Sequence, residues 1–507
     1  MKTLKCYNVI TDDIYSQLKP TGSTPGILYG LPKVHKDNIP MRPILSAIKT
    51  HTYTMSKFLI PLISPWSKNI YTINDTFKFV NEINNTLNNN FYMASFDITS
   101  LYTNVPINES IDIIMNKVFT NNNTFYKFNK NQFKKFLELS LLDTYFIFNN
   151  NLYKQTNGLA MGQPVAPTLA NIFLCHHEKK WLDDCPPKFK PVMYKKYMDD
   201  TFLLFKEKEH IDEFLNYLNG KHENIKFTKE IETENNLNFL DISIKKDHNK
   251  FTTSVYRKPT YTGLTMNFNS FSPLNYKLNL IKTLIYRGFK ISSSFTNFHL
   301  EMKTISDILK NNGFKISLIL KEIKLFLKNK YTEKKIMFST PKKIIYFKIP
   351  YYGNESFIMR KNLIKLINNY YPQIKLAVVF TMNFKMKSLF KFKDIIPTSL
   401  RSSVIYKYNC SRCNSVYVGK TSRHLSTRIA EHLGVSFRTG KKLSSPPFSQ
   451  ISKHYEEEHI NEGPNKANFS IITSATTDFE LNIKESITIK TLKPNLNDME
   501  AINLKIL

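Results

Sequence analysis

Long apolar runs are missing from this sequence. None approaches the roughly 20 residues needed to span a bilayer, and the longest candidates, Leu169 to Cys175 and Leu376 to Phe380, read as buried elements. We therefore expect no membrane partner. The opening residues, Met1 to Asp13, meet polar side chains before any apolar core forms, so no secretory signal is present. Cysteine is scarce, with five in 507 residues. That odd number argues against a disulfide framework and for a reducing compartment. Acid is short relative to base: 41 Asp and Glu face 71 Lys and Arg, a formal charge of +30. The excess is spread along the whole chain and suits a polyanionic partner, with nucleic acid foremost. No repeat of fixed period is visible.

What is present begins with 42% apolar residues, enough to fill real cores. Over the first half, strand-like runs such as Phe91 to Phe96 and Tyr194 to Phe205 alternate with helical stretches, Asn108 to Phe119 and Pro167 to Trp181. Two carboxylates, Asp199 and Asp200, stand between two apolar runs, where a strand, a tight turn and a returning strand would expose both acids at a hairpin tip. Asp97 ends an earlier strand-like run, and side-by-side strands would bring it against Asp199. Clustered carboxylates repel unless a cation sits between them. Hard oxygen ligands of this kind suit Mg2+, and a pair of such ions serves in-line attack on a phosphate.

An Asp-Asp pair alone describes a solvated turn. Its context is more specific. Upstream lie Gly30-Leu-Pro-Lys33 and Arg42-Pro-Ile44, then Ser95-Phe-Asp-Ile-Thr-Ser-Leu-Tyr-Thr-Asn-Val-Pro106. A glycine loop, Gly158 to Pro167, precedes Tyr197-Met-Asp-Asp200; Leu237-Asn-Phe-Leu-Asp241 and Val255-Tyr-Arg-Lys-Pro-Thr260 follow it. In this order the motifs, over Thr24 to about Ser294, resemble the reverse transcriptases of Penelope-like retroelements. The resemblance implies an α+β right-hand polymerase of palm, fingers and thumb. It makes Asp97, Asp199 and Asp200 the holders of two Mg2+. It sets Tyr102 under the incoming sugar, where its ring would reject a ribose 2′-hydroxyl and favour dNTPs. Arg42 and Lys33 would meet the triphosphate, and Gly162 and Gln163 would line the substrate. In this loop Met161 stands where many reverse transcriptases have Gln, and Gln163 follows the glycine. Lys277, Lys282, Arg287 and Lys290, on a helical stretch, could track a duplex backbone.

A second constellation lies near the end. Tyr406 and Tyr417 close Val-Ile-Tyr and open Tyr-Val-Gly; Arg428 and His432 share a helix face at i, i+4; Glu485 and Asn497 follow. A nuclease needs a base for water, an acid for a metal and a cation for phosphate. The set, over about Ser402 to Asn497, resembles GIY-YIG endonucleases, with Val404 in place of the first Gly. The resemblance implies a hydroxyl pair in Tyr406 and Tyr417, phosphate binding by Arg428, one Mg2+ on Glu485, and support from His432 and Asn497. Cys410-x2-Cys413 and His454-x4-His459 supply two thiolates and two imidazoles, a tetrahedral Zn2+ set that would staple a small module.

The expected organisation is therefore a short segment over 1–24, fingers and palm over 25–275, a helical thumb-like region over 276–335, a basic connector over 336–400 and a small α+β GIY-YIG nuclease domain over 401–507. The shortness of the first segment suggests truncation. The expected partners are an RNA template, a DNA primer, target DNA and dNTPs, working in the nucleus or otherwise the cytoplasm, since no clear import signal is present. Two other readings remain: a catalytically decayed nucleic-acid-binding remnant, and an RNA-templated polymerase of telomerase kind. The intact acids oppose the first. The attached nuclease opposes the second, since a chromosome end already offers a primer.

Overall fold

The apolar runs around Asp97 and Asp199 become neighbours in one antiparallel sheet, in the order Phe227–Ile231, Tyr92–Ile98, Asp200–Phe205, Met193–Tyr197. The structure is a computed structural model and describes residues 2–20, 22–34, 38–120, 124–332, 343–382, 389–390, 393–444, 449–459 and 462–497. The two central strands are apolar without alternation because both faces of the sheet are covered. On one face Ala94, Phe96, Ile98, Leu203 and Phe205 pack with Phe173, Ile211 and Phe214 from the helices Ala166–Asp183 and Glu209–Asn219. On the other, Met93, Phe202 and Leu204 meet Phe79, Val80 and Ile83 of the helix Thr76–Asn84, together with Leu237 and Phe239.

A second sheet orders Met41–Ser46, Gly26–Pro32, Tyr145–Phe148 and Asn151–Lys154. It carries Arg42 opposite Leu31. The chain then forms a three-stranded meander, Asn236–Phe239, Ile242–Asp247 and Lys250–Val255. Three helices follow, Leu274–Ile291, Phe295–Asn311 and Ile316–Tyr331, around Ile281, Ile285, Phe298, Ile305 and Ile319. Arg257 fastens this bundle to the meander by a fork-to-fork pair with Glu301, Nη1 to Oε2 at 2.8 Å. Of the four cations expected to track a duplex, Arg287 is held by Asp241 at 2.8 Å and Lys282 lies 3.9 Å from Glu322.

The connector holds more order than its sequence suggested. Lys343–Pro350, the helix Asn354–Tyr370 and Ile374–Thr381 form a βαβ unit with parallel strands. Residues 336–342, 383–388 and 391–392 of the connector lie outside the described residues. Beyond it, Val416–Thr421, Val404–Asn409 and Phe469–Ser474 make an antiparallel sheet. The helices Leu425–His432, Gln450–Glu458 and Asp478–Leu492 accompany it.

Candidate functional site

The sequence Tyr197-Met198-Asp199-Asp200 closes a two-residue hairpin, with Tyr197 and Asp200 as the last ladder pair. Met198 takes a positive φ of 57° at the first turn position. That is the pattern of a primed hairpin turn and a strained one for a residue with a side chain. One expectation is corrected here. Asp199 alone occupies the tip, whereas Asp200 is the first residue of the returning strand and is the cross-strand partner of Asp97. Asp199 is tied in through its carbonyl, which accepts from the Ile98 amide at 3.3 Å. Turn length sets this register, and a one-residue slip would send Asp200 to the opposite face.

The three acids feel one another. Burial, then Asp199 and Asp97, push the Asp200 carboxyl up to about 6, with Lys258 pulling the other way. Three converging carboxylates with one nearby cation are a donor set that fits Mg2+. Ser100 turns the chain with a left-handed φ of 52°, and the helical turn Leu101–Asn104 follows. That bend brings Tyr102 beside Asp199: burial, then the Asp199 charge, raise the tyrosine's pKa. The glycine loop is bound on both sides. Leu159 donates to the Tyr102 carbonyl at 2.6 Å, and the Met161 carbonyl accepts from Leu45 of the Arg42 strand at 2.7 Å. Gly162 has a φ of 118°, and a Cβ there would collide with the Leu45 carbonyl. Its role in this geometry is to let two backbones approach.

Gln163 does not face the cleft. It is buried, and its amide Nε2 donates to the Ser140 carbonyl and, at 3.4 Å, to the Ser56 hydroxyl. The structure thus makes it an anchor of the loop rather than a group at the substrate. Arg42 is exposed on its strand, and half-buried Lys33 donates its backbone N–H to the Pro40 carbonyl.

Sequence reading missed two features here. Lys258 lies inside the Val255 to Thr260 motif, which was the available signal. The other is a buried ion pair behind the hairpin: Lys196 Nζ lies 2.6 Å from Glu178 Oε2, with side chains 0% and 1% exposed. The Tyr194 hydroxyl donates to Glu178 Oε1 at 3.0 Å. The pair joins the strand that ends at the Met198–Asp199 turn to the helix that follows the glycine loop.

In the last unit Tyr406, Tyr417, Arg428 and His432 come together. The fully buried Tyr406 hydroxyl accepts from Arg428 Nε at 3.2 Å and lies 2.6 Å from His432 Nε2. Burial, then Arg428, hold His432 down to about 3, so the ring is neutral. The other ring nitrogen, Nδ1, lies 2.6 Å from Ser449 Oγ, so both nitrogens of the neutral ring have a hydroxyl partner. Tyr417 stacks edge-on to His432, with centroids 5.6 Å apart. Glu485 pairs with Lys420 at 2.7 Å and contributes to the raised pKa values of both tyrosines. Asn497 clips the Tyr417 strand by a double hydrogen bond to Val418, 2.8 Å each way. Ser449, Lys420 and Glu431, the carboxylate that holds Arg428 at 3.0 Å, were not legible beforehand.

Cys410, Cys413, His454 and His459 also converge, with one ligand atom from each within 4.8 Å of the others. Sulfur-to-nitrogen distances are 3.3 Å for Cys413–His454, 3.4 Å for Cys413–His459 and 3.5 Å for Cys410–His459. A tetrahedron with bonds of ~2.3 Å to sulfur and ~2.05 Å to nitrogen has sulfur–nitrogen edges of about 3.5 Å. Burial would raise the Cys410 thiol, but the Arg412 and Cys413 amides and His454 hold it down at about 6. The set fits Zn2+. A further group, Glu109 with His177 and His222, does not fit a metal as it stands. The Asn224 amide donates to His222 Nδ1 at 3.1 Å, which leaves the ring proton on the Nε2 that faces Glu109.

Residues 34–246 match the family model described as reverse transcriptase (RNA-dependent DNA polymerase), and residues 264–324 match that of the animal helix-turn-helix domain. No curated protein matches the chain. Similar solved structures include telomerase from Candida albicans in complex with a fragment of telomeric RNA, at 9% identity over 64% of this chain and 65% of that one, with a TM-score of 0.40. Telomerase from Candida tropicalis, also with telomeric RNA, gives 13% identity over 61% and 55%, TM-score 0.38. The Sicinivirus 3Dpol RNA-dependent RNA polymerase gives 13% over 62% and 71%, TM-score 0.39. This chain thus spans a little under two thirds of the first telomerase chain and about half of the second. With Asp97, Asp199 and Asp200 all inside the longer family match, the chain carries a reverse transcriptase domain followed by an animal helix-turn-helix domain.

Proposed function

We propose that the chain is the RNA-directed DNA polymerase of a Penelope-like retroelement, with a linked GIY-YIG endonuclease that nicks target DNA and so supplies the primer. The observation that carries the polymerase reading is the junction of Asp97, Asp199 and Asp200 on two paired strands, with the carboxyl of Asp200 pushed up by its neighbours. Two bound Mg2+ would activate the primer 3′-hydroxyl and stabilise the leaving pyrophosphate. The chain's own residues orient the reactants. Tyr102 stands beside Asp199 where a ribose 2′-hydroxyl would clash, and Arg42 and Lys33 approach the triphosphate from the fingers. The assay is extension of a DNA primer on an RNA template. A chain that binds the primed template yet adds no dNTP with Mg2+ present would refute the reading.

The nuclease reading is supported by the relay Arg428–Tyr406–His432–Ser449. Its phenol lies between a cation and a neutral imidazole that can accept a proton. Arg428 would neutralise phosphate, and Glu485, released from Lys420, would hold one Mg2+. Nicking of supercoiled plasmid is expected to fall by about 10²-fold or more in Glu485→Ala, by analogy with the loss of one transition-state partner. Nicking that persists at the wild-type rate would remove Glu485 from the site.

The paired cysteines and histidines would hold a structural Zn2+ beside this site. Elemental analysis of the purified chain is expected to give about one zinc per molecule, and Cys413→Ser is expected to lose it. A folded, metal-free wild type would reject the assignment. Acting on target DNA, the chain would work in the nucleus.

A further inference from the structure

The βαβ unit of the connector has a face that its own helix does not cover. In a parallel pair, register partners share a face. Ile349 lies opposite Phe380, and both are buried. Phe357 of the helix Asn354–Tyr370 packs on Phe380 with ring centroids 5.2 Å apart, so the helix lies on this side. The opposite side presents Ile344, Tyr346 and Lys348 from one strand, and Lys375, Ala377 and Val379 from the other. Tyr346 is 70% exposed, and Ile344, Lys348 and Lys375 are exposed with it.

Ile344 and Tyr346 make a contiguous exposed apolar strip, and contiguous strips rimmed by polar groups are the kind that mark interaction sites. Lys348 stands two residues from Tyr346 on the same face, and Lys375 is diagonal to it across the ladder. The unit as a whole is basic. Residues 343–382 contain six Lys and Arg and the single acid Glu355. A flat ring flanked by two ammonium groups matches one repeat of a single strand: a base to stack and phosphates on either side. An acidic protein would satisfy the cations but would not need the exposed ring.

The unit is also placed for this task. The Tyr276 hydroxyl, on the first thumb helix, donates to the Phe380 carbonyl at 2.7 Å, and Phe271 packs on Tyr351 at 5.1 Å. Past the second strand, Lys393 lies over the Tyr29 ring of the fingers sheet at 4.5 Å, and Asp394 accepts from the Asn149 amide at 2.6 Å. The connector therefore touches both the three-helix bundle region and the sheet that carries Arg42.

We propose that this face, centred on Tyr346 with Lys348 and Lys375, is a platform for single-stranded nucleic acid. The inference deepens the polymerase reading without depending on its chemistry, because binding is read with no dNTP present. The test uses the full chain, oligouridine and oligothymidine as probes, and a salt series. Tyr346→Ala is expected to weaken binding about tenfold while Tyr346→Trp retains it, since stacking needs a ring and not the hydroxyl. Lys348→Ala with Lys375→Ala is expected to reduce the slope of log affinity against log salt by about 1.4, two phosphate contacts at ~0.7 each. Photocrosslinking of iodouridine RNA should mark Tyr346, and unequal response of the two probes tells RNA from DNA. All four substitutions are at exposed positions, and thermal unfolding checks that they fold. Wild-type affinity in Tyr346→Ala with an unchanged salt slope in the lysine variant would overturn the proposal. So would a change in oligomeric state alone, which would make the face a contact between copies of the chain.

Discussion

Asp199→Ala is expected to lower dNTP incorporation by at least about 10³-fold while leaving the fold intact. The size follows from removing a charge aimed at the transition state, where a single missing partner already costs about 10²–10³, and from the weaker hold on a metal for which Asp199 would be the second main ligand beside Asp97. The fold is expected to survive because Asp199 sits at the tip of a hairpin and its structural tie is a backbone carbonyl, which alanine keeps. Relief of charge repulsion beside Asp200 and Asp97 even favours the variant when no metal is present. The signature is therefore double. Mg2+ should raise the unfolding temperature of wild type by linkage and raise that of Asp199→Ala less. Full incorporation by the variant, or an equal Mg2+ effect on both proteins, would break the assignment.

The second large effect concerns the pair behind the hairpin. Lys196→Ala or Glu178→Ala is expected to destabilise the central sheet region by about 3–5 kcal/mol, because each leaves a charge buried without its partner. Glu178 Oε1 accepts from the Tyr194 hydroxyl, while Oε2 meets the ammonium as a charge rather than through a well-aligned hydrogen bond, so Oε2 loses its partner among the described residues when Lys196 is removed. Lys196→Met combined with Glu178→Met removes both charges, and is expected to be close to neutral or to stabilise. The readout is specific. Of the chain's two tryptophans, Trp181 belongs to the core cluster on one face of the central sheet and Trp66 packs against it, so their fluorescence in urea follows this region. Single variants that each cost less than about 1 kcal/mol, or a double variant worse than either single, would show that the pair is not held as described.

The acids and the order of motifs were legible because polymerase chemistry restricts residue type at short spacings. Their register was not. Whether Asp199 or Asp200 faces Asp97 depends on a turn of two residues instead of three or four, and composition does not set turn length. Lys196 illustrates a signal that was present and unread. Tyr194 is buried, and strand parity puts Lys196 on the same face, so a lysine inside the core follows from alternation alone. Its partner Glu178 lies on a helix and could not be inferred. Gln163 was misplaced because its direction depends on the backbone of Gly162, whose positive φ turns the next side chain inward. The βαβ unit was hidden for a different reason: its strands pair in parallel across a helix, so no turn signal joins them. At the other end, Tyr406, Arg428 and His432 were found by spacing, whereas Ser449, the hydroxyl beside His432 Nδ1, comes from a distant helix cap with no local pattern.

Primer extension on an RNA template, with wild type and Asp97→Ala assayed side by side in Mg2+, bears most directly on the central claim. Wild type should extend a DNA primer with dNTPs, and Asp97→Ala should bind the same primed template but add nothing. Extension by Asp97→Ala at the wild-type rate, or wild type that binds without extending, would contradict the account.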